Sequence, residues 1–420
     1  MNSRERVMAT LNFQSTDRVP CDLAGMRSTG ISCFAYPNLV AALGLPPRRP
    51  KVYDTGQMLA LPDRDVLDAL GIDVITVEGT LTNAFEQPER WDPYDFNGRL
   101  DALVPKGIDW KVQPDGTIVQ NGDSLMPPGA HVFDVEHAGQ PLVLNGDLPR
   151  PDLAAMRAGA AAQAFTPTQI DEIRAVVQRV RRGTDRAVFF AHGKLYGNLG
   201  ICACGGMGVF PILCLTEPDL VAGLHEIVTQ RVLANLQALL PAIAGDIDVL
   251  LLCADDWGMQ NGLIAPPWVY RDLFQPFLRR INDEAHRLAP HVKTFLHCCG
   301  AIYEALDIVA DSGFDIVNPV QWSAGGRTPE EWKARAASRR LALWGGGVDS
   351  QHTLPLGTVA DVERQVREVV PVLASGGGYV FCNIHNILAE IAPEKVMAMY
   401  RTAKATSRGV VGLPQGCVVR

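Results

Sequence analysis

The sequence predicts an α/β protein: a closed (β/α)8 barrel of the TIM type, with a β-hairpin-rich insert between its second and third strands. Three observations predict it. Eight short β-branched or apolar runs recur along the 420 residues, and runs of this kind suit strands buried on both faces, as in a parallel sheet. Each is followed by a Gly, Asp or His cluster and usually by a helical pattern, the alternation of an α/β chain. No run leads into a G-x-G-x-x-G turn, so an open dinucleotide-binding sheet gains no support.

In order, the runs are Val19–Leu23, Asp73–Val77, Ala187–His192, Val249–Asp255, Val292–His297, Phe314–Asn318, Leu341–Gly345 and Gly378–Cys382. Thr216-Glu217-Pro218 opens a long helix with Leu220, Val221, Leu224, Ile227 and Val228 at helical spacing. Pro266-Pro267 opens another, through Tyr270, Leu273 and Phe277 towards Leu288, and helices over 301–311, 359–373 and 393–404 follow later strands. Residues 79–185 read differently. Turn signals at Asp92-Pro93, Asn97-Gly98, Pro114-Asp115-Gly116, Asn121-Gly122 and Pro127-Pro128-Gly129 predict small hairpins, with a strand near Thr117–Gln120 and then a helix near Thr168–Arg182. Such an insert decorates the barrel, so residues 1–420 are expected to form one domain.

Composition excludes several classes of function. Thirty-eight basic against 46 acidic residues leave a net charge of −8, which argues against a nucleic-acid footprint or a polybasic membrane surface. No window approaches about 18 uninterrupted apolar residues, so no membrane span is expected. Met1–Leu11 carries charges and no apolar run, unlike a secretory signal; a cytoplasmic location is the expectation. The ten cysteines show no C-x-x-C spacing, and reduced thiols are expected, including the pairs Cys202-x-Cys204 and Cys298-Cys299.

A barrel of this type builds its site at the C-terminal ends of its strands. The residues there are polar in every unit: Asp22 and Arg27; Glu78; His192 and Lys194; Cys253, Asp255 and Asp256; His297 and Cys299; Asn318 and Gln321; Asp349 and Gln351; Cys382 and His385. The sharpest feature is His297-Cys298-Cys299-Gly300. On a strand, i and i+2 share a face, so His297 and Cys299 can point inward together while Cys298 points away. An imidazole beside a thiolate suits zinc, with a third ligand from His385 or Cys382 and a fourth position open for catalysis. The bland alternative is a buried histidine among buried thiols. Asp255 is expected on the face of Cys253, as base or hydrogen-bond acceptor, with Asp256 capping the next turn. Asp349 follows three glycines that permit close backbone approach, but no P-loop lysine follows. His225 and His286, within helical stretches, are expected at the surface. His131 and His137, in the insert, carry no signal.

These residues resemble the uroporphyrinogen decarboxylase superfamily, in its methyltransferase branch of corrinoid- and zinc-dependent enzymes. The resemblance runs through Asp17-Arg18-Val19-Pro20, Ser28-Thr29-Gly30-Ile31-Ser32, Tyr53-Asp54 with Gln57, Ala254 to Gln260, His297-Cys298-Cys299-Gly300, Asn318-Pro319-Val320-Gln321, Trp344-Gly345-Gly346 with Asp349, and Gly376 to Ile387. It implies the (β/α)8 barrel. True decarboxylases of the family carry an arginine-rich R-Q-A-G-R-Y segment where this chain reads Ala24-Gly25-Met26-Arg27-Ser28. The zinc methyltransferases place a later cysteine where His385 stands, three residues after Cys382. The resemblance therefore implies a metal held by His297, Cys299 and His385, with Cys382 as the alternative third ligand.

The function expected is zinc-dependent transfer of a methyl group between a small compound, methoxylated ones included, and a corrinoid (cobalamin), as in O-demethylation. Asp255, Asp349 and Arg27 are assigned to catalysis, and His192, Asp256, Gln260, Asn318 and Gln321 to substrate binding. A D-x-H-x-x-G corrinoid motif does not occur, so the corrinoid would be free or carried by a separate protein. The alternative is a metal-independent decarboxylase of a porphyrinogen-like or smaller acid, with Arg27 holding a carboxylate and Asp255 stabilising a protonated intermediate.

Overall fold

A computed structural model describes residues 1–78, 88–134, 150–199 and 209–407. Seven parallel strands form one sheet, in the spatial order Tyr379–Val380, Ala342–Trp344, Ile316–Asn318, Lys293–His297, Val249–Ala254, Ala187–Ala191, Val74–Glu78. The first expected run supplies the closure. Phe381 N–H donates to Pro20 O and Asp22 N–H to Phe381 O, while on the other side Asp73 N–H donates to Cys21 O, each at 2.8 Å. Residues 20–22 thus bond to both sheet edges and leave no edge open. The eight expected runs are the eight staves of a TIM-type barrel.

The barrel interior is a packed core. Alternate residues of each strand face inward, among them Val74, Phe189, Leu251, Phe295, Ile316, Trp344 and Val380. Phe189, Phe295 and Trp344 meet edge to face with centroids 4.9, 5.5 and 5.8 Å apart, an arrangement that aromatic quadrupoles favour. The N-terminal helix Ser3–Leu11, capped by Asn2 and Glu5, closes the bottom with Val7 and Leu11.

The helices between strands bury one face each. Pro218–Ile243 hides Val221, Leu224, Leu236 and Leu239. By length and composition the stretch Pro218–Asp246 could cross a membrane, but 50% of its apolar window is buried within this fold. His225, expected at the surface, is fully buried on this helix. Its Nδ1 lies 2.6 Å from Leu273 O and its Nε2 contacts Leu199 O, so two backbone carbonyls explain its burial.

Within the insert, Trp91–Asp95 pairs with Asp101–Pro105, and Trp110–Val112, Ile118–Gln120 and Ser124–Met126 form a meander. Asn97-Gly98 and Asn121-Gly122 turn at positive φ, as those pairs predict. The helix Pro167–Arg182 follows. A second helix, Leu153–Ala162, and a small sheet of Ile31–Ser32, Val52–Asp54 and Leu59–Ala60 were not expected. Cys202, Cys204 and His137 lie outside the described residues.

Lys333, on Pro329–Ser338, is 5% exposed and lies at the lower rim, where it donates to Gly377 O and sits 5.9 Å from the Phe13 ring. Burial alone lowers its pKa to about 8. Between pH 8 and about 10.5 the unfolded chain holds the proton that the folded chain has lost, so stability rises with pH through that window. Below it the buried ammonium costs about 3 kcal/mol. Lys333→Met is expected to be about 2 kcal/mol more stable than wild type at pH 7, after loss of one hydrogen bond of about 1 kcal/mol. That gap should close by pH 10 in urea titrations; equal midpoints at pH 7 would contradict it.

Candidate active site and metal centre

The strand ends open into a cavity of about 800 Å³ whose walls include Arg27, Ser28, Gln57, Glu78, Tyr196, Asn198, Asp255, Asp256, His297 and His385. Met26 and Leu251, members of the interior cluster, form its floor.

His297 ends the strand Lys293–His297 and is 7% exposed. Phe295, two residues earlier, faces the interior, so the period of the strand brings His297 inward too. Its Nδ1 lies 2.7 Å from Asn318 Oδ1. Asn318 Nδ2 donates in turn to Trp344 O at 2.8 Å, which fixes the amide so that its oxygen faces the imidazole. Nδ1 must then carry the proton, and the lone pair is left on Nε2. Cys299 Sγ lies 3.2 Å and Ser28 Oγ 3.1 Å from that nitrogen. Burial lowers the His297 pKa and keeps the ring neutral.

His385 completes the group. One ligand atom from each of His297, Cys299 and His385 lies within 4.8 Å of the others. Ligands on a tetrahedral zinc, with bonds of about 2.0–2.3 Å, stand about 3.5 Å apart, so the donor set fits the ion with a small contraction. A histidine whose other nitrogen bonds a side-chain oxygen is the usual second shell of such a site. Burial, aided by His297, lowers His385 to about 4, leaving it neutral as a ligand must be. Burial and Asp256 raise the Cys299 thiol well above its usual value, so a metal ion would displace its proton.

Cys382 stands apart. It is fully buried with the interior cluster, and its Sγ lies 3.2 Å from where a Gly345 Cβ would be. The structure groups His385, not Cys382, with His297 and Cys299.

The loop 255–259 holds the loop 297–301 like a zip. Asp255 N–H donates to His297 O at 3.0 Å, Gly258 N–H to Cys299 O at 3.2 Å and Ala301 N–H to Met259 O at 2.8 Å. Asp256 Oδ1 accepts from Cys299 N–H at 2.8 Å, and Trp257 N–H donates to Cys298 Sγ at 3.3 Å, so Cys298 does point away. Gly258 and Gly300 meet back to back: a Cβ on Gly300, at φ +90°, would lie 2.3 Å from Gly258 C and O.

The strand before that loop departs from expectation. Leu251 pairs with Phe295, but Cys253 pairs with Leu296, so one residue is extra. This bulge reverses the alternation: Cys253 packs in the outer core, while Ala254, Asp255 and Asp256 reach the cavity. Asp255 therefore does not share the face of Cys253.

The other expected site residues divide. Arg27 lies on the wall. Asn318 and Gln321 stand behind the ligands, Gln321 Oε1 accepting from Gly300 N–H at 2.8 Å. Neither lines the cavity, and three more also lie outside it. His192 accepts from Lys194 N–H and packs on Phe165; Gln260 bonds Gln351 at the exposed rim; Asp349 caps the Gln351 and His352 N–H groups. Sequence reasoning missed Ser28, Gln57, Tyr196 and Asn198. Asn198 bonds both the N–H and C=O of Ala254 at 2.8 and 2.7 Å, extending the strand end as another backbone would. Deep in the barrel, burial raises Asp22 to about 6, although Trp344 Nε1 and Gly25 N–H donate to it at 2.8 Å.

A parallel eight-stave barrel with His, Cys and His at the mouth defines the class of protein. Residues 205–406 match the family model of uroporphyrinogen decarboxylase (URO-D). Among solved structures, a methyltransferase from Methanosarcina mazei is similar with a TM-score of 0.55 and 16% identity, over 96% of this chain and 99% of that one. At that identity the likeness shows the shared fold. A β-D-glucuronidase from Dictyoglomus thermophilum aligns over 73% of this chain and 54% of its own, with 11% identity and a TM-score of 0.28, too low to carry an argument. No curated protein matches by sequence.

Proposed function

We propose that the protein is a zinc-dependent methyltransferase moving a methyl group between a small compound, methoxylated in the demethylation direction, and a corrinoid. The observation that carries this reading is the His297, Cys299 and His385 donor set, whose two histidines line the cavity, with the His297 tautomer set by Asn318. Zinc held there would supply Lewis-acid charge to the oxygen from which the methyl leaves. The chain contributes the rest. Asn318 and Asp256 orient the ligand residues, and Ser28 offers a hydroxyl donor 3.1 Å from His297 Nε2. Asp255 and Asp256 line the space where the substrate sits.

A corrinoid, free or protein-bound, has to approach through the mouth. Met259, Trp268, Leu356 and Leu388, all exposed, come from segments after strand ends, and apolar groups there suit a docking partner. Against the decarboxylase alternative, Arg27 is the one lysine or arginine among the described lining residues. A porphyrinogen bearing several carboxylates would bury charge without partners.

The test is methyl transfer to cob(I)alamin from methanol and small methoxyarenes. Turnover is expected with zinc present, to be abolished by a chelator and restored by zinc. Chelator-insensitive conversion of uroporphyrinogen, with no methylcobalamin formed, would overturn the proposal in favour of the decarboxylase.

A further inference from the structure

The turn that delivers Ser28 to His297 also sends Arg27 into the cavity wall. Arg27 Nε donates to Glu78 Oε1, and Nη1 donates to Asp54 Oδ2 at 3.0 Å. Nη2 has no partner among the described residues, and 44% of the side chain is exposed. Asp54 is fixed independently of Arg27, and Glu78 is placed by its strand. Asp54 is 5% exposed and accepts from Gly56 and Gln57 N–H at 3.0 and 2.8 Å; Glu78, 7% exposed, ends a barrel strand.

We infer that Arg27, Asp54 and Glu78 form a clamp with more carboxylate than guanidinium charge, which selects uncharged substrates presenting a hydrogen-bond acceptor and excludes carboxylates. The inference rests on the methyl-transfer reading and adds the substrate's charge class. A free guanidinium binds a carboxylate through two parallel N–H bonds and a full positive charge. Here two carboxylates already occupy Nε and Nη1, so the single cation is outnumbered and the group offers an anion no net positive charge. An entering carboxylate loses its water and meets Asp255 and Asp256 lining the same cavity, at a cost nothing local repays. A neutral carbonyl or ether oxygen needs only the open Nη2–H donors.

The test uses a pair matched in size, 3-methoxybenzamide and 3-methoxybenzoate, titrated calorimetrically into zinc-loaded full-length protein. Wild type is expected to bind the amide at least about tenfold tighter. Glu78→Gln, which frees one side of Arg27, should bring the ratio to parity or below, with zinc content unchanged; Asp54→Asn should shift it the same way. Tighter or equal binding of the benzoate by wild type, no binding of either compound, or a ratio indifferent to both variants would overturn the inference. Because the wild-type ratio is itself diagnostic, misfolding of a variant leaves the test standing. Methyl transfer without charge selectivity would sink the clamp alone, whereas charge selectivity in a protein that takes up no zinc would sink the methyltransferase reading.

Discussion

Purified His297→Ala protein is expected to contain almost no zinc where wild type contains about one per chain, and to lose at least about 10³-fold in methyl-transfer rate. Removing His297 deletes the nitrogen to which both Cys299 and Ser28 are directed, and two remaining ligands make a weak zinc site. His385→Ala should lose zinc as well, because its ring is the third donor of the group. Cys382→Ser should keep it, since that thiol is buried in the interior cluster. Elemental analysis of the three variants decides. Zinc retained in His385→Ala and lost in Cys382→Ser would mean that the third ligand has been misassigned, and metal-free, fully active wild type would remove the centre altogether.

The second large effect is expected at a position with no functional group. Gly300→Ala would place a methyl 2.3 Å from the Gly258 backbone, at a φ of +90° that side chains rarely adopt. Strain and overlap together should cost about 3 kcal/mol or more. Relief would come from parting the two loops, which moves Cys299 away from His297. Loss of zinc with a lowered melting temperature is therefore expected, and added zinc should restore part of the stability by mass action. Gly262→Ala, where a Cβ meets open space, serves as the control. An unchanged melting temperature and zinc content in Gly300→Ala would show that the loops do not brace one another as described.

How far the sequence revealed the protein depends on which forces act locally. The staves were legible because strands buried on both faces must be continuous apolar runs, and Ala187–Ala191 or Val249–Ala254 carry little else. The helix Leu153–Ala162 was not, because it buries no residue and so has no apolar stripe to read. The sheet around Asp54 is built from strands of two or three residues, too short for a period to show. In the site, His297-x-Cys299 was legible because the chain runs on extended just past the strand end, keeping both on one side. Ser28, Asn198 and Tyr196 arrive on turns whose positions depend on distant contacts. His192 and Asp349 sit at strand ends as expected, but local capping turns their polar atoms to nearby backbone. The bulge before Cys253 left no mark in the composition of the strand, and it alone reversed which neighbours face the cavity.

Residues 20–22 seal the barrel against Phe381, some 360 positions away along the chain, and the stretch just after them carries Arg27 and Ser28. This couples assembly of the site to contacts among the longest in range of the described residues. Such contacts carry a high loop-closure cost and tend to form late. A nascent chain carries His297 and Cys299 together at the end of one stave, but Ser28 meets them, and the full group with His385 is enclosed, only when the two ends of the stave series join. Metal uptake should thus report on the final step of folding. Stopped-flow zinc capture during refolding would lag the recovery of secondary structure, and a variant that loosens the seam at Cys21 should retard capture more than it retards helix formation.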